Sequence, residues 1–187
     1  MVDAAEKLPM SMDEFLAWEQ EQPTRHEFLG GEIIAMTGAS DRHNTIAINL
    51  TLQLRDRLRG GPCRVFMSDI KVEVEAADAF FYPDLLVTCS EQDAASPLVK
   101  REPTLIVEVL SPPTASYDLG QKFAHYRPLP SLQEYVLVDP DRPFIELFRR
   151  SGADQWQLVQ ASGLESELEL TSLALTLPMA PIYHDLP

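Results

Sequence analysis

Two acids set inside apolar, strand-patterned stretches are the residues of this sequence best suited to chemistry. Asp84 lies in Tyr82-Pro83-Asp84, and Glu108 is flanked on both sides by aliphatic residues in Leu105-Ile106-Val107-Glu108-Val109-Leu110. An ionised carboxylate is costly to bury unless a cation, a proton or several hydrogen bonds compensate it. If the two strands are neighbours, their acids can hold one hard divalent ion, with a backbone carbonyl and waters filling the remaining oxygen positions. Such an ion polarises a phosphoryl oxygen and lowers the pKa of a bound water. A structural account stands beside this one: Asp84 caps a turn after Pro83, and Glu108 faces an edge or pairs with a buried arginine. Either acid alone fits that account better. The pair, with a lysine to follow, favours function, because polar residues at core-patterned positions are expected mainly where function demands them.

Asp118, Lys122 and Tyr126 recur at i, i+4 and i+8 and so share one face of a helix. Read functionally, Lys122 reaches over the carboxylates to orient an attacking water or to neutralise charge in a phosphorane-like transition state. Read structurally, Asp118 and Lys122 are an ordinary helix pair worth about 0.3 kcal/mol. Glu27 is a second carboxylate that could support the site, although a surface strand is the commoner home of a glutamate. His43 is a candidate substrate contact, or simply a histidine bonded to backbone near a helix start. The sequence has no GxSxG, Walker lysine loop, GxGxxG or HExxH, which leaves serine-nucleophile, nucleotide-cradling, dinucleotide and zinc-protease chemistries without parts.

The elements that must position these residues follow from local pattern. Ser11 before Asp13 and Glu14 opens a short amphipathic helix that Pro23 closes. The runs 26–29 and 32–36 flank Gly30-Gly31 and read as an N-terminal β-hairpin. Residues 46–54 alternate like a strand, yet Ile46, Leu50, Leu54 and Leu58 also line up at helical spacing. A helix is preferred there, because the segment starts after Ser40-Asp41 and stops at Gly60-Gly61. Strands are expected at 64–67, 70–75, 81–88 and 104–110, together making a mixed sheet. After Pro112-Pro113 comes a helix over 117–127 ended by Pro128, then a strand over 134–138, and a terminal hairpin from 144–149 and 155–160 around Ser151-Gly152.

With 187 residues and 45% hydrophobic content, one domain over 1–187 is expected, with a core at about 12–150 and a C-terminal β extension over 151–187. Residues 1–20 lack a signal-peptide pattern, and no stretch approaches the roughly 20 apolar residues of a membrane span, so the expected location is cytoplasmic with no membrane contact. Cys63 and Cys89 are isolated and read as buried apolar thiols rather than a disulfide or a zinc site. The formal charge of −14 counts against tight, non-specific binding to polyanions. Arg55, Arg57, Arg59 and Arg64, and again Arg149 and Arg150, read as solvated faces beside acids such as Asp56 and Asp154 rather than as a phosphate track.

Taken together, several motifs resemble one family. They are Glu27 before a Gly-Gly-Glu turn, His43-Asn44, Tyr82-Pro83-Asp84, Ile106-Val107-Glu108-Val109-Leu110-Ser111-Pro112, Asp118 with Lys122 and Tyr126, and Glu134-Tyr135-Val136-Leu137-Val138-Asp139-Pro140. In this order, from Met12 to Arg150, the chain is similar to the Uma-type restriction endonucleases within the PD-(D/E)XK nuclease superfamily. The resemblance implies a restriction-endonuclease-like α/β (α+β) core, a central mixed sheet flanked by helices. It also implies that Asp84, Glu108 and the Val109 carbonyl bind Mg2+, with Mn2+ as a substitute and no organic cofactor. Lys122 and Glu27 complete the catalytic set, while His43, Asp118 and Tyr126 support it or touch substrate. The expected substrate is DNA and the expected assembly a homodimer. One departure stands out: the superfamily's usual lysine lies two residues after the second acid, where this chain has Leu110, and Lys122 on the next helix is the replacement. The competing expectations are a catalytically silent binding or regulatory module of the same fold and a structural homodimer whose carboxylates only pair with polar groups.

Overall fold

The computed structural model describes residues 6–7, 10–36, 38–112 and 115–187. Pro113, read above as part of the loop before the Lys122 helix, lies outside them. Strand β1 (Glu6–Lys7) precedes helix α1 (Met12–Glu19). The start of α1 is fixed by a capping box, in which the Ser11 hydroxyl accepts from the Glu14 N–H and the Glu14 carboxylate accepts from the Ser11 N–H. Strands β2 (His26–Leu29) and β3 (Glu32–Ala35) form the expected hairpin. Gly30 and Gly31 take φ of +55° and +85°, the left-handed values that so short a turn requires. Helix α2 (Asp41–Arg57) follows, its start capped by the Ser40 side chain accepting from the His43 N–H. Ile46, Ala47, Leu50 and Leu54 are buried along one face, so helical period prevails over the alternating pattern.

The remaining elements are β4 (Arg64–Met67), β5 (Lys71–Val74), β6 (Ala79–Phe81), β7 (Leu85–Thr88), α3 (Glu91–Ala95), β8 (Val99–Lys100) and β9 (Pro103–Val109). After these come α4 (Ala115–Tyr117), a π-helical turn (Asp118–Lys122), α5 (Phe123–Tyr126), β10 (Glu134–Asp139), β11 (Phe144–Arg150), β12 (Trp156–Ser162), β13 (Glu167–Leu170), β14 (Leu175–Pro178) and α6 (Met179–Ile182). One six-stranded sheet has the order β1-β3-β2-β6-β5-β8, and a second the order β12-β11-β10-β9-β7-β4. Both are mixed, since β5 runs parallel to β8 and β9 parallel to β10. Two aromatic and aliphatic layers form the core. One lies between α2, the second sheet and the C-terminal ribbon β13-β14, and another joins Phe81, Val72, Ile106, Tyr126 and Tyr135 between the sheets. Phe15 of α1 packs with Phe28 and Phe80 as a smaller third cluster. The ribbon is fastened by Glu134, which is wholly buried and accepts from Thr171, Ser172 and Arg149.

Three expectations are corrected. The stretch 81–88 is not one strand: residues 82–84 break it, β6 joins the first sheet and β7 the second. Pro83 has no N–H to give a ladder, and a break there lets the chain pass between sheets. The helix over 117–127 is interrupted by the π-helical turn, a wider coil found mostly at functional sites. Finally, Cys63 and Cys89 are joined in a disulfide and are only partly buried. Spacing hid this pairing, because the two residues are 26 positions apart and meet only through the register Arg64↔Thr88 of β4 and β7. Closing that loop restricts the unfolded chain, so reduction is expected to lower stability by about 3.5 kcal/mol on the chain-entropy model. Urea titrations with and without a phosphine reductant check this; coincident midpoints would contradict it. Among the described residues no helix is long and apolar enough to cross a membrane.

Candidate active site

Register brings the two acids together. Strands β7 and β9 pair antiparallel with Leu85 opposite Val107, so the next pair outward is Asp84 and Glu108. The Val109 N–H donates to Asp84 Oδ2 at 2.8 Å, and the Asp84 N–H points at Glu108 Oε2 at 3.4 Å. Each acid is therefore tied to the other's strand. Asp84 keeps 19% of its side chain exposed, whereas Glu108 is 3% exposed as a residue, so the pair opens to solvent on the Asp84 side. Residues 82–84 are not part of either ladder, and their side chains go to different partners: the Tyr82 hydroxyl to Glu19, and Asp84 to Val109 and His43.

Lys122 enters from the π-helical turn and closes the cluster. Its Nζ lies 2.9 Å from Glu108 Oε1, 3.1 Å from Glu27 Oε1 and 4.0 Å from Asp118 Oδ1. Glu27 also accepts the Tyr82 N–H at 3.1 Å, which ties the hairpin to the turn that carries Asp84. Burial opposes the charge on Lys122, but Glu108, Glu27 and Asp118 outweigh it and hold its proton above the ordinary lysine range. For Glu108 burial dominates and pushes the carboxyl well above the usual range. Lys122 opposes that shift, while Asp84 and Asp118 add to it. Several carboxylates thus share one buried lysine.

His43 Nε2 sits 3.0 Å from Asp84 Oδ2. Burial lowers its proton affinity, but the hydrogen bond and charge of Asp84, with the Val109 backbone, raise it overall. Tyr126 is fully buried against Phe81, and its hydroxyl has no hydrogen-bond partner among the described residues. The fold therefore brings Asp84, Glu108, Val109, Lys122, Glu27, His43, Asp118 and Tyr126 into one neighbourhood.

Sequence reasoning missed several neighbours. Glu19, 1% exposed, accepts from the His26 N–H, from His26 Nδ1 and from the Tyr82 hydroxyl. On a short amphipathic helix such an acid looks solvated, and nothing local marks it. Tyr117, its hydroxyl pushed up to about 12 by burial and by Glu27, and Tyr135, which donates to the Asp118 carbonyl, also line the cluster. Tyr117 precedes Asp118 in the motif and was readable from that adjacency.

Two mixed sheets, flanking helices and a pair of facing acids at a break between sheets define a restriction-endonuclease-like α/β fold. The likeness extends to a crystal structure of a putative nuclease belonging to DUF820 from Anabaena variabilis, with a TM-score of 0.77 at 19% identity, covering 94% of this chain and 98% of that one. Residues 12–180 match Uma2, described as a putative restriction endonuclease, and the chain belongs to that family. Two uncharacterized proteins of Synechocystis sp. are 36% and 34% identical to it, each over 177 residues. These alignments cover 95% and 94% of this chain and 93% and 99% of those proteins.

Proposed function

We propose that this chain is a magnesium-dependent endonuclease that hydrolyses phosphodiester bonds of DNA, with manganese able to replace magnesium. The observation that carries the reading is the convergence of the Lys122 amine on Glu108 and Glu27, at 2.9 and 3.1 Å, beside an Asp84 that remains open to solvent. Among the described residues no three carboxylate, imidazole or thiol side chains converge as metal ligands. Two carboxylates with a backbone carbonyl and waters are nevertheless the hard-oxygen set that magnesium takes, since it keeps several waters and binds through one or two acids. Burial is the chief cause of the raised proton affinity of Glu108, and a bound cation would oppose it as Lys122 does.

Asp84, Glu108 and the Val109 carbonyl would hold the ion. When bound, it would supply Lewis-acid stabilisation of the phosphoryl oxygens and a more acidic water. Lys122, kept protonated by three acids, orients the attacking water and offsets charge gathering on the phosphoryl group. Glu27 fixes Lys122 and, through the Tyr82 N–H, the turn bearing Asp84. His43 holds Asp84 Oδ2 from the start of α2. The lysine that usually follows the second acid is replaced by one on the next helical segment, and Leu110 at the former position is partly buried against the inter-sheet core. The working form is a homodimer, because duplex cleavage takes two sites or two events.

Purified protein is expected to nick or linearise supercoiled plasmid with magnesium or manganese and to stop on chelation. Failure to cut supercoiled, linear or single-stranded DNA would overturn the reading. A catalytically silent module of the same fold is the second reading, favoured by the charge of −14 and by Leu110 at the usual lysine position, and it predicts no cleavage and magnesium binding no better than that of Asp84→Ala.

A further inference from the structure

We propose that Lys71 and Arg25 form a phosphate-binding notch beside the Tyr82-Pro83-Asp84 turn, one that takes a backbone phosphate of DNA away from the bond being cut. The inference rests on the endonuclease reading for its ligand and on separate residues for its geometry.

Lys71 opens β5, and its neighbour Val72 packs into the core between the sheets, so Lys71 projects from the opposite face of its strand. Only 6% of Lys71 is exposed, and its amine lies 5.1 Å from the centroid of the Tyr82 ring. Among the described residues that amine has neither a hydrogen bond nor an ion pair. The nearby acid, Glu19, is already occupied by the His26 N–H at 2.9 Å, His26 Nδ1 at 3.0 Å and the Tyr82 hydroxyl at 2.9 Å. Arg25 reaches Asp69, two residues before Lys71, which brings the two cations to the same corner of the fold; burial lowers the proton affinity of Lys71, Glu19 opposes this, and Arg25 lowers it further.

Arg25 is held only loosely. Its Nε lies 3.4 Å from Asp69 Oδ1, with the two side chains 47% and 82% exposed, an arrangement that contributes little and opens readily. An amine on a nearly buried stem with no acid in contact is short of solvation, and an anion that also meets Arg25 relieves both that deficit and the mutual repulsion. A phosphodiester fits this pair, with Lys71 as a point charge and Arg25 as a planar fork. The chain has 15 basic residues against 29 acidic ones, and most of the basic groups are engaged. Arg42 donates to the Pro140 and Pro187 carbonyls, Arg149 to Glu134, and Arg150 to main-chain carbonyls. Among the described residues few basic side chains therefore lack both a hydrogen bond and an ion pair, and this one lies over the ring of Tyr82, whose N–H is held by Glu27 two residues before Asp84.

The test is fluorescence anisotropy of an end-labelled 20-bp duplex at several salt concentrations with chelator present. Lys71→Met, which keeps the buried stem, is expected to weaken binding about three- to tenfold and to reduce the salt slope by about one. Lys71→Arg should retain both, Arg25→Gln should weaken binding in the same direction without disturbing the core, and Arg59→Met should change neither. Identical affinity and salt slope in wild type, Lys71→Met and Arg25→Gln overturn the notch, as does a wild type that binds no duplex. Cleavage is read separately with magnesium. Wild type that binds through Lys71 yet does not cut defeats the nuclease reading and leaves the notch standing.

Discussion

Asp84→Asn is expected to lose roughly a thousandfold or more of metal-dependent cleavage, equivalent to about 4 kcal/mol of transition-state stabilisation, while leaving the fold intact. The substitution separates the two roles of this side chain. Asp84 accepts the Val109 N–H at 2.8 Å, and an asparagine carbonyl can accept the same bond, so the link between β7 and β9 survives. What is lost is the negative charge that would share a cation with Glu108. A second readout comes from His43, whose proton affinity is raised chiefly by the hydrogen bond and charge of Asp84 against burial. In Asp84→Asn burial is left largely unopposed, and the His43 titration followed by NMR should move to lower pH. Unchanged cleavage would remove Asp84 from the site, and an unchanged His43 titration would contradict the ion pair seen here.

The sequence named the fold class and the candidate residues, but not how those residues meet. Asp84 and Glu108 stand out because each interrupts an apolar strand pattern, and Lys122 because it shares a helix face with Asp118 and Tyr126; both signals are visible without three-dimensional information. Their meeting was not readable from pattern alone. It depends on the register Leu85↔Val107 and on a π-helical turn that sequence read as uniform helix. The helix α2 emerged correctly because its caps and its end at Gly60-Gly61 added to an ambiguous apolar pattern. By contrast, the division of 81–88 between two sheets was hidden, since Phe81 and Leu85 are equally buried and apolar on either side of the break. Glu19 and the Cys63–Cys89 bond were missed for a common reason. Their partners lie seven, 26 or 63 positions away in sequence, and neither carries a local signature that names them.

Lys122→Met is expected to abolish cleavage and also to destabilise the protein by about 3 to 5 kcal/mol at neutral pH, the usual result of removing one partner from a buried ion pair. Methionine fills the space of the stem, so the deficit reports charge rather than volume. Glu108 and Glu27, at 2.9 and 3.1 Å from the amine, are left without their shared cation. The pH dependence has a definite sign. Burial already raises the folded Glu108 pKa above its unfolded value, and losing Lys122 removes the influence that lowers it. Between those two pKa values the folded state binds more protons than the unfolded state, so the variant loses stability as pH rises through that window and recovers it as pH falls. Urea denaturation at pH 5 and pH 8 should therefore show a smaller deficit at pH 5. Adding Glu108→Gln should restore part of the stability at pH 8 but none of the cleavage, because a neutral amide needs no counter-charge and supplies no anionic ligand. A deficit independent of pH, with no recovery in the double variant, would mean that Lys122 stabilises this cluster through packing and not by its charge.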